Sequence, residues 1–218
     1  MLYYANPTKS AREHMIAGTI GFVETPDQGT PIPPGARFMV DNGRFSGKLD
    51  PDGRLLVGDR APRWHGDLWF EAYLAKFRPR AADCAFVVAP DVPFEPETSL
   101  ARSRPWLHRI RRMGFPAALA VQGDIGRLPW NEFDVVFLAG DMGFKHGIAA
   151  ADYVRQARDR GIPVHWGRCN SQLRIRQAHG MGCDSADGGY LRAGPDKNLG
   201  RLLGWLADLD RNGAQTFI

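Results

Sequence analysis

Short apolar runs recur along the chain: Leu2–Ala5, Gly21–Glu24, Ala36–Val40, Ala85–Ala89, Ala117–Val121, Val135–Ala139, Pro163–Trp166 and Met181–Asp184. Each is a strand candidate. Most are continuously apolar rather than alternating, which suits strands covered on both faces of a parallel sheet. Helical stretches lie between the later runs. Thr98–Met113 opens on a capping hydroxyl at Thr98 or Ser99, and Pro105 would kink it or start a second helix. Ile148–Arg160 stops at Gly161, and Ser171–His179 stops at Gly180. Asn198–Asp210 carries Leu199, Leu202, Leu203 and Leu206 at helical spacing. This alternation predicts βα units. Eight strand candidates predict a compact (β/α)8 barrel of the TIM type, with an open doubly wound parallel sheet as the alternative. The whole chain, 1–218, is expected to form one domain. Two stretches interrupt the rhythm. Thr25–Gly35 is a Pro/Gly loop. Gly43–Asp67 reads as a long loop or lid before a helix at Leu68–Phe77.

Composition removes several classes. A hydrophobic share of 44% can build a core, so general disorder is out. No apolar run approaches the ~20 residues that span a bilayer, so no membrane partner is expected. The opening residues Met1–Pro7 lack the basic and apolar regions of a secretory leader, which makes the cytoplasm the expected location. Lys and Arg number 28 against 24 Asp and Glu, a net charge of +4 that only mildly favours a polyanionic partner. Cys84, Cys169 and Cys183 form no C-x-x-C pair, which argues against a disulfide framework and a structural zinc site. His14, His65, His108, His146, His165 and His179 show no metal spacing. The dinucleotide and P-loop fingerprints are absent. No metal and no cofactor are expected.

The polar residues that follow the strands say more. Asp41 follows Ala36–Val40, and Asp91 follows Ala85–Pro90. Gln122-Gly123 follows Ala117–Val121, Gly140-Asp141 follows Val135–Ala139, and Gly167-Arg168 follows Pro163–Trp166. Asp184 and Asp187 close the eighth candidate. A parallel barrel turns every strand's carboxyl end to one face, where active sites are built. A single Asp after a strand is ordinarily a turn residue or helix cap. Several on one face point to a site.

These segments, in this order, resemble the tRNA-guanine transglycosylase family and its relatives that insert 7-deazaguanines into DNA. The family's D-S-G-G-F pattern is approximated by Asp41-Asn42-Gly43-Arg44-Phe45, and its strand-end carboxylate segment by Val88–Pro93 around Asp91. Its V-Q-G stands as Val121-Gln122-Gly123, its donor loop as Leu138-Ala139-Gly140, and its M-G turn as Trp166-Gly167. Its G-x-D-x-x-D stands as Gly182–Asp187. The family's Cys-rich zinc cluster has no counterpart here. That makes the compact, zinc-free DNA-modifying relatives of phage and bacteria the nearer likeness.

The resemblance implies a base-exchange reaction that replaces guanine in nucleic acid, DNA before tRNA, with a free 7-deazaguanine such as preQ0. Asp187 would be the nucleophile and Asp41 the general acid/base. Asp91, Gln122, Gly123 and Gly140 would bind the base, with Phe45 and Trp166 stacking on it. Asn42 and Gly167 would support the site. Asp184 would orient or repel Asp187, or else serve as a buried turn acceptor. Arg44, Arg60, Arg63, Arg168 and Arg174 would meet the nucleic-acid backbone, and Arg102–Arg112 would join them or form a solvated face. Partner proteins of a DNA-modification system, and a host cytoplasm for a phage-encoded chain, also follow. Two other readings stay open: an N-glycoside hydrolase on the same scaffold, and a non-catalytic nucleic-acid-binding subunit.

Overall fold

In the computed structural model, which describes residues 1–26 and 28–212, the apolar runs pair edge to edge into a closed barrel. Residue 27, within the loop 25–35, and residues 213–218 lie outside the described residues. The chain runs β1 (Leu2–Ala5), α1 (Arg12–Ile16), β2 (Gly21–Glu24), β3 (Phe38–Val40), β4 (Phe45–Leu49), β5 (Leu55–Val57) and α2 (Asp67–Ala75). It continues through β6 (Cys84–Val88), α3 (Pro96–Arg112), β7 (Ala117–Val121), β8 (Val135–Leu138), α4 (Met142–Lys145) and α5 (Ile148–Asp159). It ends with β9 (Val164–Trp166), α6 (Gln172–Met181), β10 (Ser185–Gly188) and α7 (Pro195–Asn212). Eight parallel strands close in the order β1-β10-β9-β8-β7-β6-β3-β2. This is the TIM-type barrel, and closure excludes the open sheet.

Side chains alternate across each strand. One set fills the barrel interior: Tyr4, Val23, Met39, Phe86, Val88, Ala118, Ala120, Val135 and Phe137. The other set, including Tyr3, Phe22, Phe38, Val40, Leu119, Leu138 and Trp166, packs in the larger core with the helices. Burial on both sides explains the continuous apolar runs. The inward parity continues past the strand ends. It carries from Met39 to Asp41 and from Ala120 to Gln122, and within β10 it runs from Ser185 to Asp187.

Among the described residues, the outer layer holds a buried carboxylate. Glu24 on β2 is 6% exposed and accepts a 2.6 Å hydrogen bond from the Tyr73 hydroxyl on α2. Burial pushes Glu24 up to about 6, against the Tyr73 bond, which favours the ionised form. The stability tied to this group is therefore present at low pH and lost as pH rises through about 6. Tyr73→Phe should destabilise the fold by about 1–3 kcal/mol at pH 8. The loss should be smaller at pH 5, where Glu24 is protonated. Urea unfolding at both pH values checks this; equal losses would contradict it.

Several expectations need correction: α3 begins at Pro96 rather than after a Thr98 or Ser99 cap, and α6 runs through Gly180 to Met181. The eighth strand is Ser185–Gly188, not Met181–Asp184. Met181 closes α6, and Gly182 turns the chain in the left-handed region at φ 97°. The apolar run there belongs to a helix end. The 43–67 segment, expected as a long loop or lid, is not all loop, because β4 and β5 form an antiparallel hairpin in it. Its turn is held by Asp50 Oδ1, which accepts from the backbone of Asp52 at 3.1 Å and Arg54 at 2.8 Å. Finally, α3 runs through Pro105 as one helix.

Candidate active site at the barrel mouth

The C-terminal end of the barrel holds a narrow slot of about 80 Å³. Asp41, Asn42, Phe45, Asp91, Phe94, Gln122, Phe137, Gly140, Gly167, Arg168 and Asp187 all line it. The strand-end residues from β3, β6, β7, β8, β9 and β10 thus meet as the alternation predicts.

Asp91 is 8% exposed and well braced. Asn42 Nδ2 donates to its Oδ1 at 3.0 Å and to Ala89 O at 2.9 Å. Gln122 Nε2 donates to its Oδ2 at 2.7 Å. Burial raises the Asp91 carboxyl, and the Asn42 bond opposes this. The Gln122 amide is occupied at both ends, with Nε2 also 2.7 Å from Ser99 Oγ and Oε1 accepting from Phe94 N at 2.7 Å. Gln122 therefore braces Asp91 and the 92–94 loop. Its amide is not free for a ligand, as the sequence expectation required.

Asp41 sits in a tight turn, where its Oδ1 accepts from Gly43 N at 2.6 Å. Burial first, then the nearby Asp187 and Asp91 charges, push Asp41 up to about 6. The Gly43 bond and Arg63 pull the other way. It is an acid poised close to neutrality.

Asp187 stands on β10, three strands round the barrel from β3. Its side chain is 18% exposed, and its Oδ1 lies 3.0 Å from His165 Nε2. Arg168 N donates to the same oxygen at 3.3 Å. His165 is fully buried inside the barrel. Its ring stacks on Phe137 at 4.8 Å and meets Phe86 edge-on at 5.0 Å. Burial lowers its basicity, while Asp187 works against that shift. A neutral ring fits both neighbours when Nε2–H donates to the carboxylate and Nδ1 accepts from Ser185 Oγ at 2.8 Å. Sequence reasoning examined His165 only for metal spacing. Its inward register on β9 is the signal that would have found it.

Aromatic rings roof the slot. Phe45 and Phe94 meet edge-on at 5.9 Å, and the Arg168 guanidinium lies 4.6 Å over Phe45. That guanidinium also donates to Gly140 O. Among the described residues, the non-glycine residues with positive φ are Phe94 at 70° and Arg168 at 63°. Both line this slot, and such strain concentrates where a fold over-determines a site. Gly140 at φ 74° leaves no room for a side chain, since a Cβ would lie 2.5 Å from Gln122 O. Gly167 lets the Phe137 ring pass, since a Cβ there would meet it at 2.9 Å.

Several expected residues lie elsewhere. Trp166 faces outward from β9 and is buried in the helix-side core with Lys145 Nζ 5.7 Å from its ring, so it cannot stack on a ligand in the slot. Phe94 and Phe137 line the slot with Phe45 instead. Gly123 packs under Pro96 and does not line the slot. Asp184 precedes β10 and accepts from Val164 N at 2.8 Å, which puts it at the opposite end of the barrel from Asp187. It is the turn acceptor. Arg44 is 2% exposed, so it offers nothing to a nucleic-acid backbone. It donates to Asp91 O, pairs with Asp59 at 2.7 Å and stacks 4.7 Å over Trp64, fixing the hairpin. Arg60 is exposed near Asp50. Arg174 reaches Arg168 O at 3.4 Å. On α3, Arg102 pairs with Asp67, Arg104 with Glu132, and Arg111 with Asp134. These are ties to neighbouring segments rather than a free basic face. Buried Lys145, pushed down to about 8 by burial, donates to Gly167 O at 2.6 Å and holds the turn after β9. A larger cavity of about 850 Å³ lies between α5 and α6, away from every carboxylate of the mouth.

No family model and no curated protein matches this chain. Among solved structures it is similar to a glycine-to-alanine mutant of an active chimera of (S)-mandelate dehydrogenase, with a TM-score of 0.52. The match covers 99% of this chain and 76% of that one at 13% identity. At that identity the likeness carries the barrel fold alone. No helix among the described residues is long and apolar enough to cross a membrane.

Proposed function

We propose that this chain is a base-exchange transglycosylase that replaces guanine in nucleic acid, DNA before tRNA, with a 7-deazaguanine such as preQ0. The observation that carries the reading is the meeting of Asp41 and Asp187 in one slot, with Asp91 braced beside them. Exchange at a glycosidic carbon needs a nucleophile and a separate proton carrier. Asp187 attacks C1′ as the C1′–N9 bond breaks. Asp41 gives its proton to the departing base, which leaves neutral. A glycosyl ester on Asp187 remains. The incoming base loses its N9 proton to Asp41, and its N9 displaces Asp187 from C1′. The product retains its configuration after two displacements.

Asp91 suits the N1–H and N2–H edge of guanine. Phe45 and Phe94, which line the slot, supply aromatic surface for a bicyclic base. The base must also leave its stack to reach the site. His165 is a positioning residue that fixes the Asp187 carboxylate. His165→Phe should lower kcat by about 10²-fold with KM little changed, the scale of a modest misplacement of a reacting group. His165→Gln, which restores an N–H donor, should recover part of the loss. Equal kcat in all three proteins would remove His165 from the reaction.

The direct test incubates the protein with duplex DNA, and separately with tRNA, plus labelled guanine or preQ0. Label should enter DNA and should vanish with Asp187→Ala. Free guanine without label in the polymer would turn the reading to a hydrolase. Neither label nor release would turn it to a binding subunit.

A further inference from the structure

A second cleft of about 360 Å³ opens on the same face of the barrel. Asn6 and Thr8 line it after β1, Thr25 and Gln28 after β2, Arg63 ahead of α2, and Arg192 after β10. The cleft occupies the arc of the mouth between β3, which carries Asp41, and β10, which carries Asp187. Arg63 is tied to the Asp41 turn by packing, because a Cβ on Gly43 would meet Arg63 Cβ and O at 3.1 Å.

Two arginines, Arg63 and Arg192, line this cleft. Arg44, Arg102, Arg104 and Arg111 each pair with a carboxylate. Neither Arg63 nor Arg192 has such a pair among the described residues. Arg63 NH1 only touches Thr25 Oγ1 at 3.5 Å. Partial burial, and then the Arg63 charge, hold the Arg192 guanidinium below its ordinary value, while Asp41 counteracts them. Two neighbouring cations with hydroxyl and amide groups around them form a site that an anion would relieve. Guanidinium forks match phosphate oxygens in particular.

We propose that this cleft seats a phosphodiester flanking the nucleoside whose base enters the slot. This rests on the transglycosylase reading for its substrate, since a sugar held at Asp187 carries its phosphates across the same mouth. Arg63 and Arg192 neutralise that phosphate, and Thr8 and Thr25 supply hydroxyl donors. The cleft thus recognises a nucleotide within a chain rather than a free base or nucleoside.

The test measures binding of a fluorescent single-stranded DNA oligonucleotide with one guanine across a salt series. Arg63→Gln and Arg192→Gln should each weaken binding and reduce the magnitude of the log–log salt slope by about 0.7, the value for one phosphate contact on a single strand. Arg63→Lys should keep the slope, and matching thermal melts guard against misfolding. A neutral methylphosphonate at one linkage beside the guanosine should erase the difference between the intact protein and Arg192→Gln. Unchanged slopes in both Gln variants overturn the cleft assignment, even if exchange proceeds normally. Slopes that fall as expected, in a protein that exchanges no base, keep the phosphate seat and overturn the transglycosylase reading. Binding of guanosine monophosphate that depends on Arg192, with no oligonucleotide binding, overturns the chain-phosphate assignment in favour of a free nucleotide.

Discussion

Asp187→Asn should reduce base exchange by about 10³-fold or more, the cost of removing a covalent nucleophile. The substitution keeps the shape of the side chain. Its amide oxygen can still accept from His165 Nε2, which lies 3.0 Å from Oδ1. What it loses is the negative oxygen that bonds C1′. Base binding should persist, because Asp91, Asn42 and Gln122 hold one another without Asp187. Two measurements follow. Single-turnover exchange of labelled base gives the rate. Denaturing gels of rapidly quenched reactions should show a protein–nucleic acid adduct for the intact chain and none for the variant. An adduct that survives in Asp187→Asn would move the nucleophile elsewhere. Asp41 would then be the first residue to examine.

The site was more legible in the sequence than the ends of its elements. Asp41, Asp91, Gln122 and Gly140 all follow apolar runs, and a parallel barrel brings such positions to one face, where Asp187 joins them from within β10. Side-chain direction was harder to read. Trp166 and His165 are neighbours, and one register step decides which enters the barrel. The run Pro163–Trp166 is four residues long, with one His among apolar side chains, too short for its alternation to set that parity. Phe137 was hidden inside a continuous apolar run. Asp184 was misplaced because Met181-Gly182-Cys183 looks like a strand but is the end of α6 and its left-handed turn. Arg44 was taken for a surface cation because its partners Asp59, Asp91 and Trp64 are brought to it by the hairpin and by β6. The roles given to arginines from sequence depend on such distant contacts. Arg192 shows the converse, since no motif marked it and only the closing of β10 beside β1 sets it in the cleft.

Asp41→Asn should separate catalysis from stability. Burial and the neighbouring Asp187 and Asp91 charges push Asp41 up to about 6. As the acid in base release it works protonated, so the release rate should fall about tenfold per pH unit once pH exceeds about 6. In Asp41→Asn that limb should disappear, and the rate should drop by about 10²–10⁴-fold. The fold should respond in the opposite sense. A carboxyl whose pKa is higher folded than unfolded supports the fold fully below about 4, and that support is lost as pH rises through about 6. Asn carries no charge to bury, so the variant should be more stable than the parent at pH 7, by on the order of 1 kcal/mol. The gain should shrink towards pH 4. Glu24, also pushed up to about 6, remains in both proteins and cancels from the difference. Urea unfolding at pH 4 and pH 7, paired with single-turnover release across the same range, reads both effects. A variant less stable at pH 7 than at pH 4, relative to the parent, would mean that the Gly43 hydrogen bond outweighs the buried charge. Asp41 would then be a turn residue first, and its place as the proton carrier would have to rest on the rate profile alone.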